Sequence, residues 1–527
     1  MKHVLSFSLA VCAINPAAHA QVQPACMLFD AGFFTTGWGG TVETPDGGAV
    51  ICGGFDFTNS GYSDIVLTKL DETGALQWMR TWSSGPTDSE YGMAVINTSD
   101  GGLAVAGHIG ASGGIGYLMK LNSSGVAEWT RTYDHPTKFL QMANSGLVQL
   151  SDGGFALQWG ATQGGEGWMM LRTDADGDVL WSDEMNFTGG FAADVAALPN
   201  GDLIFTGTEQ SINPYDLIMR KDGLTGATEW KHWYAPGANE YLSFSGLVVG
   251  PDSTIGVCGL ASSTTFSDAF AMALTADGTP IWCTRIGGTL NENAKDIAWD
   301  PNEGYVLAGE RRQNTTLLGG FVARLTADGQ GVWSRFITHP DVNALSVRRC
   351  ATTGDGCVLL TGETGTGSDY PQFLVKLDAD GNTCAHCPSV DEGTATAMNV
   401  VIGADQAIAF PGPWATGAVF TGFTAADITA SVTTCGITGV EELSTAPVVA
   451  VMPNPFSEQV VITLDRAISG RAWIEVRDVT GRLVHAQRME GHRTIIDRGT
   501  LAAGRYTFRI SDNNGIIANG ALQAAER

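Results

Sequence analysis

The chain has 527 residues, 68 of them Gly and only 16% charged, with a formal net charge of −26. That acidity excludes a nucleic-acid partner, whose phosphates it would repel, and 44% hydrophobic residues exclude a disordered or collagen-like chain. Low charge with abundant Gly, Trp, Phe and Val points to an all-β protein whose strands turn at glycine.

The first element is a processing segment. Lys2 and His3 precede an apolar run over residues 4–14, and Ala18-His19-Ala20 follows. This charged, apolar and small-residue order predicts a signal peptide over residues 1–20, cut before Gln21. No later apolar stretch reaches the roughly 20 residues of a membrane helix, so no transmembrane segment is expected.

Residues 26–34 then form a strand aligned with the Trp-bearing strand of the repeats that follow. It is expected to pair with the last repeat and latch a ring, with Cys26 bonded to Cys384 or Cys387.

A repeat of about 51 residues fills the middle of the chain. Turns leading to Trp recur at Gly74–Trp78, Gly125–Trp129, Gly177–Trp181, Gly226–Trp230, Gly278–Trp282 and Gly329–Trp333. A seventh turn, residues 378–381, arrives on schedule with Ala385 where Trp is due. Upstream of each lies a hairpin turn such as Asp46-Gly47, Asp100-Gly101, Asp152-Gly153 or Asn200-Gly201, followed by an apolar run closing on Gly. These pairs supply the positive φ of tight hairpins, and no segment shows a sustained helical period. Each repeat reads as four strands. Seven such units predict an all-β fold with a seven-bladed β-propeller over residues 21–387, a linear solenoid being the competitor. The recurring Trp is expected to pack between blades.

Residues 388–445 read as a linker or small β segment. From residue 446 the composition changes: residues 450–527 hold ten Arg, no Lys and eight acids, a formal +2, which leaves −28 on the remainder. Alternating strands with Gly turns predict a small C-terminal antiparallel β-sandwich over residues 446–527.

Candidate chemistry falls at a few points along the chain. Cys52 and Cys258 occupy the repeat slot held elsewhere by Ala106, Thr206, Ala308 and Thr361, and are expected as free core thiols. Cys350 and Cys357 flank a turn and are placed to bridge its hairpin. Cys384-Ala385-His386-Cys387 lacks the second cluster of a tetrahedral metal site. Asp174-Ala175-Asp176-Gly177-Asp178 resembles a calcium loop but misses its sixth-position Gly and distal Glu, so a plain turn is expected. Residues 110–114 match G-x-S-x-G without the strand-to-helix elbow that raises a nucleophile, and His108 nearby is expected as a solvated loop residue. No catalytic, cofactor-binding or metal residue is assigned, and no cofactor is expected.

Two resemblances refine this reading. Asp71-Glu72-Thr73-Gly74-Ala75-Leu76-Gln77-Trp78 resembles the repeat of quinoprotein-like and secreted bacterial propellers, a likeness spanning roughly residues 35–385 that implies a fold and no particular activity. Pro453-Asn454-Pro455-Phe456, Asp478-Val479-Thr480-Gly481-Arg482-Leu483-Val484 and Leu501-Ala502-Ala503-Gly504-Arg505-Tyr506 are similar to the type A sorting domain of the type IX secretion system. That resemblance implies export across both membranes, the secretion machinery as partner, removal of the domain, and a released or surface-attached product. A monomeric, non-catalytic binding or scaffold propeller is expected, with a polysaccharide or surface protein as ligand. The alternative is a propeller enzyme, a quinoprotein-like oxidoreductase or glycan hydrolase, working in the central funnel.

Overall fold

A computed structural model describes residues 25–29, 35–36 and 39–382 apart from short loop gaps, the strands between residues 389 and 434, and residues 449–525 apart from short gaps. The predicted signal peptide, Cys384 and Cys387 lie outside the described residues. The chain divides into two compact units, Met1–Ile437 and Thr438–Arg527.

The first unit is a ring of seven antiparallel sheets. Blade 2 shows the pattern: Glu90–Asn97, Leu103–Ile109, Ile115–Leu121 and Ala127–Asp134 pair in sequence order. The innermost strands of blades 4 to 7 are Ala192–Ala197, Tyr241–Val249, Asn291–Asp300 and Leu345–Thr352. The inner strand is split in two blades, into Thr35–Thr36 and Thr41–Glu43 in blade 1 and into Phe139–Gln141 and Leu147–Gln149 in blade 3. Each inner strand packs beside the next, and Leu345–Thr352 packs beside Thr41–Glu43, so the circle closes. Gly354 N–H donates to a Glu43 carboxylate oxygen at 2.9 Å across that last junction.

Two buried faces per blade explain the near-continuous apolar strands: Leu103–Ile109 is buried over six of its seven positions. Between blades the recurring Trp does what its spacing predicts. Trp129, Trp181, Trp230, Trp282 and Trp333 each lie against the turn glycine of the following blade, Gly177, Gly226, Gly278, Gly329 and Gly381. The indole N–H of four of them, Trp181, Trp230, Trp282 and Trp333, also donates to a carbonyl in that turn.

The latch is present. Ala25–Phe29 pairs antiparallel with Gln372–Leu377, Ala25 opposite Lys376 and Phe29 opposite Gln372, and supplies the fourth strand of blade 7.

The stretch after blade 7 goes beyond the four-strand reading. Short strands add a fifth, outermost strand to one blade after another: Ser389–Asp391 to blade 6, Thr394–Ala397 to blade 5, Val401–Ile402 to blade 4, Thr416–Val419 to blade 2, Thr424–Asp427 to blade 1 and Val432–Thr434 to blade 7. The chain therefore winds back around the ring, against the blade order, as a perimeter strap. It ends on blade 7, where Val432–Thr434 pairs with Phe29, Leu28 and Met27 of the N-terminal strand. Among the described residues, blade 3 alone lacks a fifth strand.

In the second unit, Gln459–Asp478 and Leu483–Asp497 form a long, irregular hairpin joined by Val449–Met452, Gly504–Asp512 and Gly515–Ala524. The sheet encloses Phe456, Val460, Ile462, Ile474, Val476, Tyr506, Phe508 and Leu522. Phe456 of the Pro-Asn-Pro-Phe motif is 1% exposed and bridges Ala524, exchanging backbone bonds of 2.8 and 2.9 Å with Gln523 and Ala525. Tyr506 of the third motif donates to the Ala502 carbonyl at 2.9 Å.

Candidate functional site

The ring axis is built from one repeated irregularity. Five inner strands slip register at the same place, between Gly92 and Ala94, Ala192 and Asp194, Phe244 and Gly246, Ala294 and Asp296, and Val347 and Arg349. The residue after each slip faces the small-residue slot recognised in the sequence: Ala106, Thr206, Cys258, Ala308 and Thr361. Gly40 opposite Cys52 and Gly146 opposite Gln158 complete the set through backbone bonds. Cys52 and Cys258 are free and fully buried, as expected, and burial raises both thiols above their ordinary range.

Two of these axial positions are acidic. The Asp194 carboxylate accepts from Val195 N–H at 2.8 Å and from Leu247 N–H of blade 5 at 3.2 Å. Asp296 repeats the arrangement with Ile297 at 3.0 Å and Cys350 of blade 7 at 2.9 Å. Burial, then repulsion from Asp296, pushes Asp194 up to about 8, against the pull of its backbone donors and Arg349. Burial likewise raises Asp296, with Arg349 and the Cys350 and Ile297 N–H groups opposing.

Two groups of cations recur in the propeller's ion pairs. Six of the seven blades place a Lys or Arg on the third strand against the acid of the preceding hairpin turn: Lys69 with Asp46, Lys120 with Asp100, Arg172 with Asp152, Arg220 with Asp202, Arg324 with Glu303 and Lys376 with Asp355. The turn aspartates are thus ion-pair partners as well as turn formers.

A second group gathers at the end of blades 6 and 7 where the inner strands begin. Glu310 is 1% exposed; Arg348 reaches one of its oxygens at 3.2 Å, Ser346 Oγ donates to the same oxygen at 2.5 Å, and Arg312 meets the other at 2.8 Å. Burial works against the charge of Glu310, but Arg348, Lys295 and Ser346 outweigh it and hold the carboxyl below its usual range. Arg348 also pairs with Glu363 at 2.9 Å. Sequence reasoning passed over this group. Its signal was the doubled Arg311-Arg312 and Arg348-Arg349 in a chain with few charges.

His108 is a correction: it lies on a strand, 4% exposed, with Met142 N–H donating to Nδ1 at 3.3 Å, and burial lowers it to about 4. The second-strand position it occupies turns inward, so it is no solvated loop residue. The Cys350–Cys357 bridge is also corrected. Both are free; Cys350 stands opposite Leu360, whereas Cys357 lies outside that pairing, and the Cys350 thiol points instead to the Val306 carbonyl at 3.7 Å. The Asp174 turn is a plain one, its carboxylate capping Asp176 and Asp178 N–H at 3.0 and 2.9 Å while Asp178 pairs with Arg131. Asp202, Asp222 and Glu229 converge, but Arg220 bonds to Asp202 and Glu229. The Ser of residues 110–114 and the Cys384–Cys387 cluster lie outside the described residues.

Comparison with known proteins identifies one part of the chain. Residues 450–519 match the secretion system C-terminal sorting domain, and they hold the buried Phe456 and Tyr506 described above. No curated protein matches the chain in sequence. Among solved structures, PorZ, a surface component of the type IX secretion system of Porphyromonas gingivalis, aligns at 14% identity and a TM-score of 0.38, over 91% of this chain and 58% of PorZ. A Dyadobacter fermentans protein of unknown function aligns at 11% and 0.41, over 67% of this chain and 97% of its own. A quinohemoprotein alcohol dehydrogenase from Pseudomonas putida aligns at 12% and 0.37, over 64% and 66%. The chain thus spans just over half the length of PorZ. Its sorting domain directs it to the cell surface or the extracellular space.

Proposed function

We propose that this secreted, type IX-exported propeller acts outside the cell by binding, as a scaffold or receptor without catalysis of its own. One observation carries this reading. Asp194 and Asp296, the two acids among the repeated slip positions of the inner strands, each accept a backbone N–H from their own strand and another from a neighbouring blade. A carboxylate so engaged ties blades together; a general acid or base needs its oxygens free for the reacting group. The axial acids are therefore consistent with a rigid platform, and a polysaccharide or a surface protein is the partner such a platform would take.

The experiment has two arms. Full-length protein produced in a type IX-competent host should reach the surface or medium, and deletion of residues 438–527 should retain it in the cell. Purified protein should then retain a subset of cell-surface glycans or proteins and release no product from them. Turnover of a bound glycan would overturn the non-catalytic reading.

A further inference from the structure

The outer face of the second unit's sheet carries side chains that its own core does not use. Along the strand Gln459–Asp478, Ala472, Ile474 and Val476 are buried, whereas Trp473 and Arg477 between and after them are exposed. Residues directly opposite each other in antiparallel strands share a face. Arg488 lies opposite Trp473 on one side of this strand, and Arg509 lies opposite Glu475 on the other. Arg505, opposite Gln523, continues the same face.

Two observations mark this face. Trp473 is 54% exposed and is the one exposed Trp among the described residues, those of the propeller being buried or half-buried. Around it Arg477, Arg488, Arg505 and Arg509 are all exposed, and Glu475, the acid of the face among the described residues, pairs with Arg477 at 2.9 Å.

Charge indicates what such a face meets. Residues 450–527 carry a formal +2, against −28 on the remainder of the chain. An acidic partner is therefore attracted to this domain and repelled by the propeller it carries, so one property supplies both recognition and discrimination. The bases are ten Arg and no Lys. Lys would serve a diffuse attraction to anionic lipid equally well, whereas the guanidinium fork suits carboxylates held at fixed positions. Trp and Arg are also the side chains that dominate binding energy at protein interfaces.

We propose that the face centred on Trp473, with Arg488 and Arg509 beside it, docks on an acidic protein surface of the secretion machinery during export. Trp473 fills the apolar centre of the contact, and the guanidinium groups take Asp or Glu carboxylates at its rim. Four strands make the face roughly 14 Å wide. So small a contact suits a partner that must release its cargo. The inference rests on the export reading above and names the surface and the chemistry of its partner.

The test expresses full-length variants in a type IX-competent host and measures the exported fraction. Trp473→Ala should lower that fraction about tenfold, the scale of losing one dominant interface side chain. Arg488→Gln with Arg509→Gln should lower it as well, and Arg488→Glu with Arg509→Glu should lower it further. The purified variants should keep the wild-type thermal midpoint, because none of these side chains enters the core. If Trp473→Ala loses stability, the two arginine pairs decide the matter. Ile495→Ala, at an exposed residue opposite Val461 beyond the irregular stretch of the hairpin, should be exported normally. Normal export of Trp473→Ala and of the Glu pair would overturn the face, as would an equal loss in Ile495→Ala. Equal losses in the Gln and Glu pairs would overturn the acidic partner. Binding of the purified protein to phosphatidylglycerol vesicles that depends on Trp473 would overturn the protein partner in favour of lipid. Export of a chain lacking residues 438–527 would remove the export reading itself.

Discussion

The Trp282 indole lies over Gly329 so closely that a Cβ on residue 329 would fall 2.5 Å from its Cδ2. Gly329 is the turn glycine of blade 6 and stands at φ +81°, and the same indole donates to the Ala327 carbonyl at 2.9 Å. One glycine therefore serves its own hairpin and the seat of the preceding blade's anchor.

Gly329→Ala should combine left-handed strain with displacement of the indole, destabilising the propeller by about 2–4 kcal/mol. Gly101→Ala is the control. Gly101 has φ +82° with open space around it, so only the strain of about 1–2 kcal/mol should appear. Chemical denaturation midpoints with tryptophan fluorescence distinguish the two; equal losses would show that the Trp–Gly seat contributes nothing.

Glu90 gives a pH dependence. It is fully buried at the start of the blade 2 inner strand, with one carboxylate oxygen on Ser84 and the other without a partner among the described residues. Burial, opposed by Ser84 and aided by Asp64 and Asp88, raises it from 4.5 to about 7. The folded chain thus holds a proton that the unfolded chain releases between those two values. Stability contributed by this group is complete below about pH 4.5 and falls as pH rises through about 7. Glu90→Gln should flatten that slope and stabilise the protein at pH 8 by on the order of 2 kcal/mol. Denaturation curves at pH 5 and pH 8 read the effect.

The perimeter strap predicts a pattern of exchange. Deleting residues 389–437 should leave seven four-stranded blades but free the outer-strand amides of blades 6, 5, 4, 2, 1 and 7. Hydrogen exchange should rise in Gly331–Ile337, Pro280–Gly287 and Leu76–Ser83, which lose their partners, and stay unchanged in Val179–Asn186 of blade 3. A uniform rise in every blade would mean that the strap stabilises the ring as a whole.

The legible and the illegible parts of the fold divide along a physical line. Trp282 and Gly329 signal themselves because a left-handed turn and a large anchor tolerate few substitutes, and the repeat restates them in each blade. Cys52 and Cys258 betray a tight slot for the same reason. The strap strands are two to four residues long and owe their pairing to edges laid down much earlier in the chain, so Val401–Ile402 carries no local signature. Glu310 and Arg348 meet only because blades 6 and 7 pack side by side. His108 is buried rather than solvated because its strand runs past Gly107, the glycine at which the apolar run closes.

The return of the strap to blade 7 has a mechanical consequence. Ala25–Phe29 is held between Gln372–Leu377 on one side and Val432–Thr434 on the other. Traction on the chain beyond Thr434 falls first on its three-residue pairing with Met27, Leu28 and Phe29. That short seam is the first to give way, and the remaining strap would then peel from blades 1, 2, 4, 5 and 6 in turn, reversing the winding that laid it down.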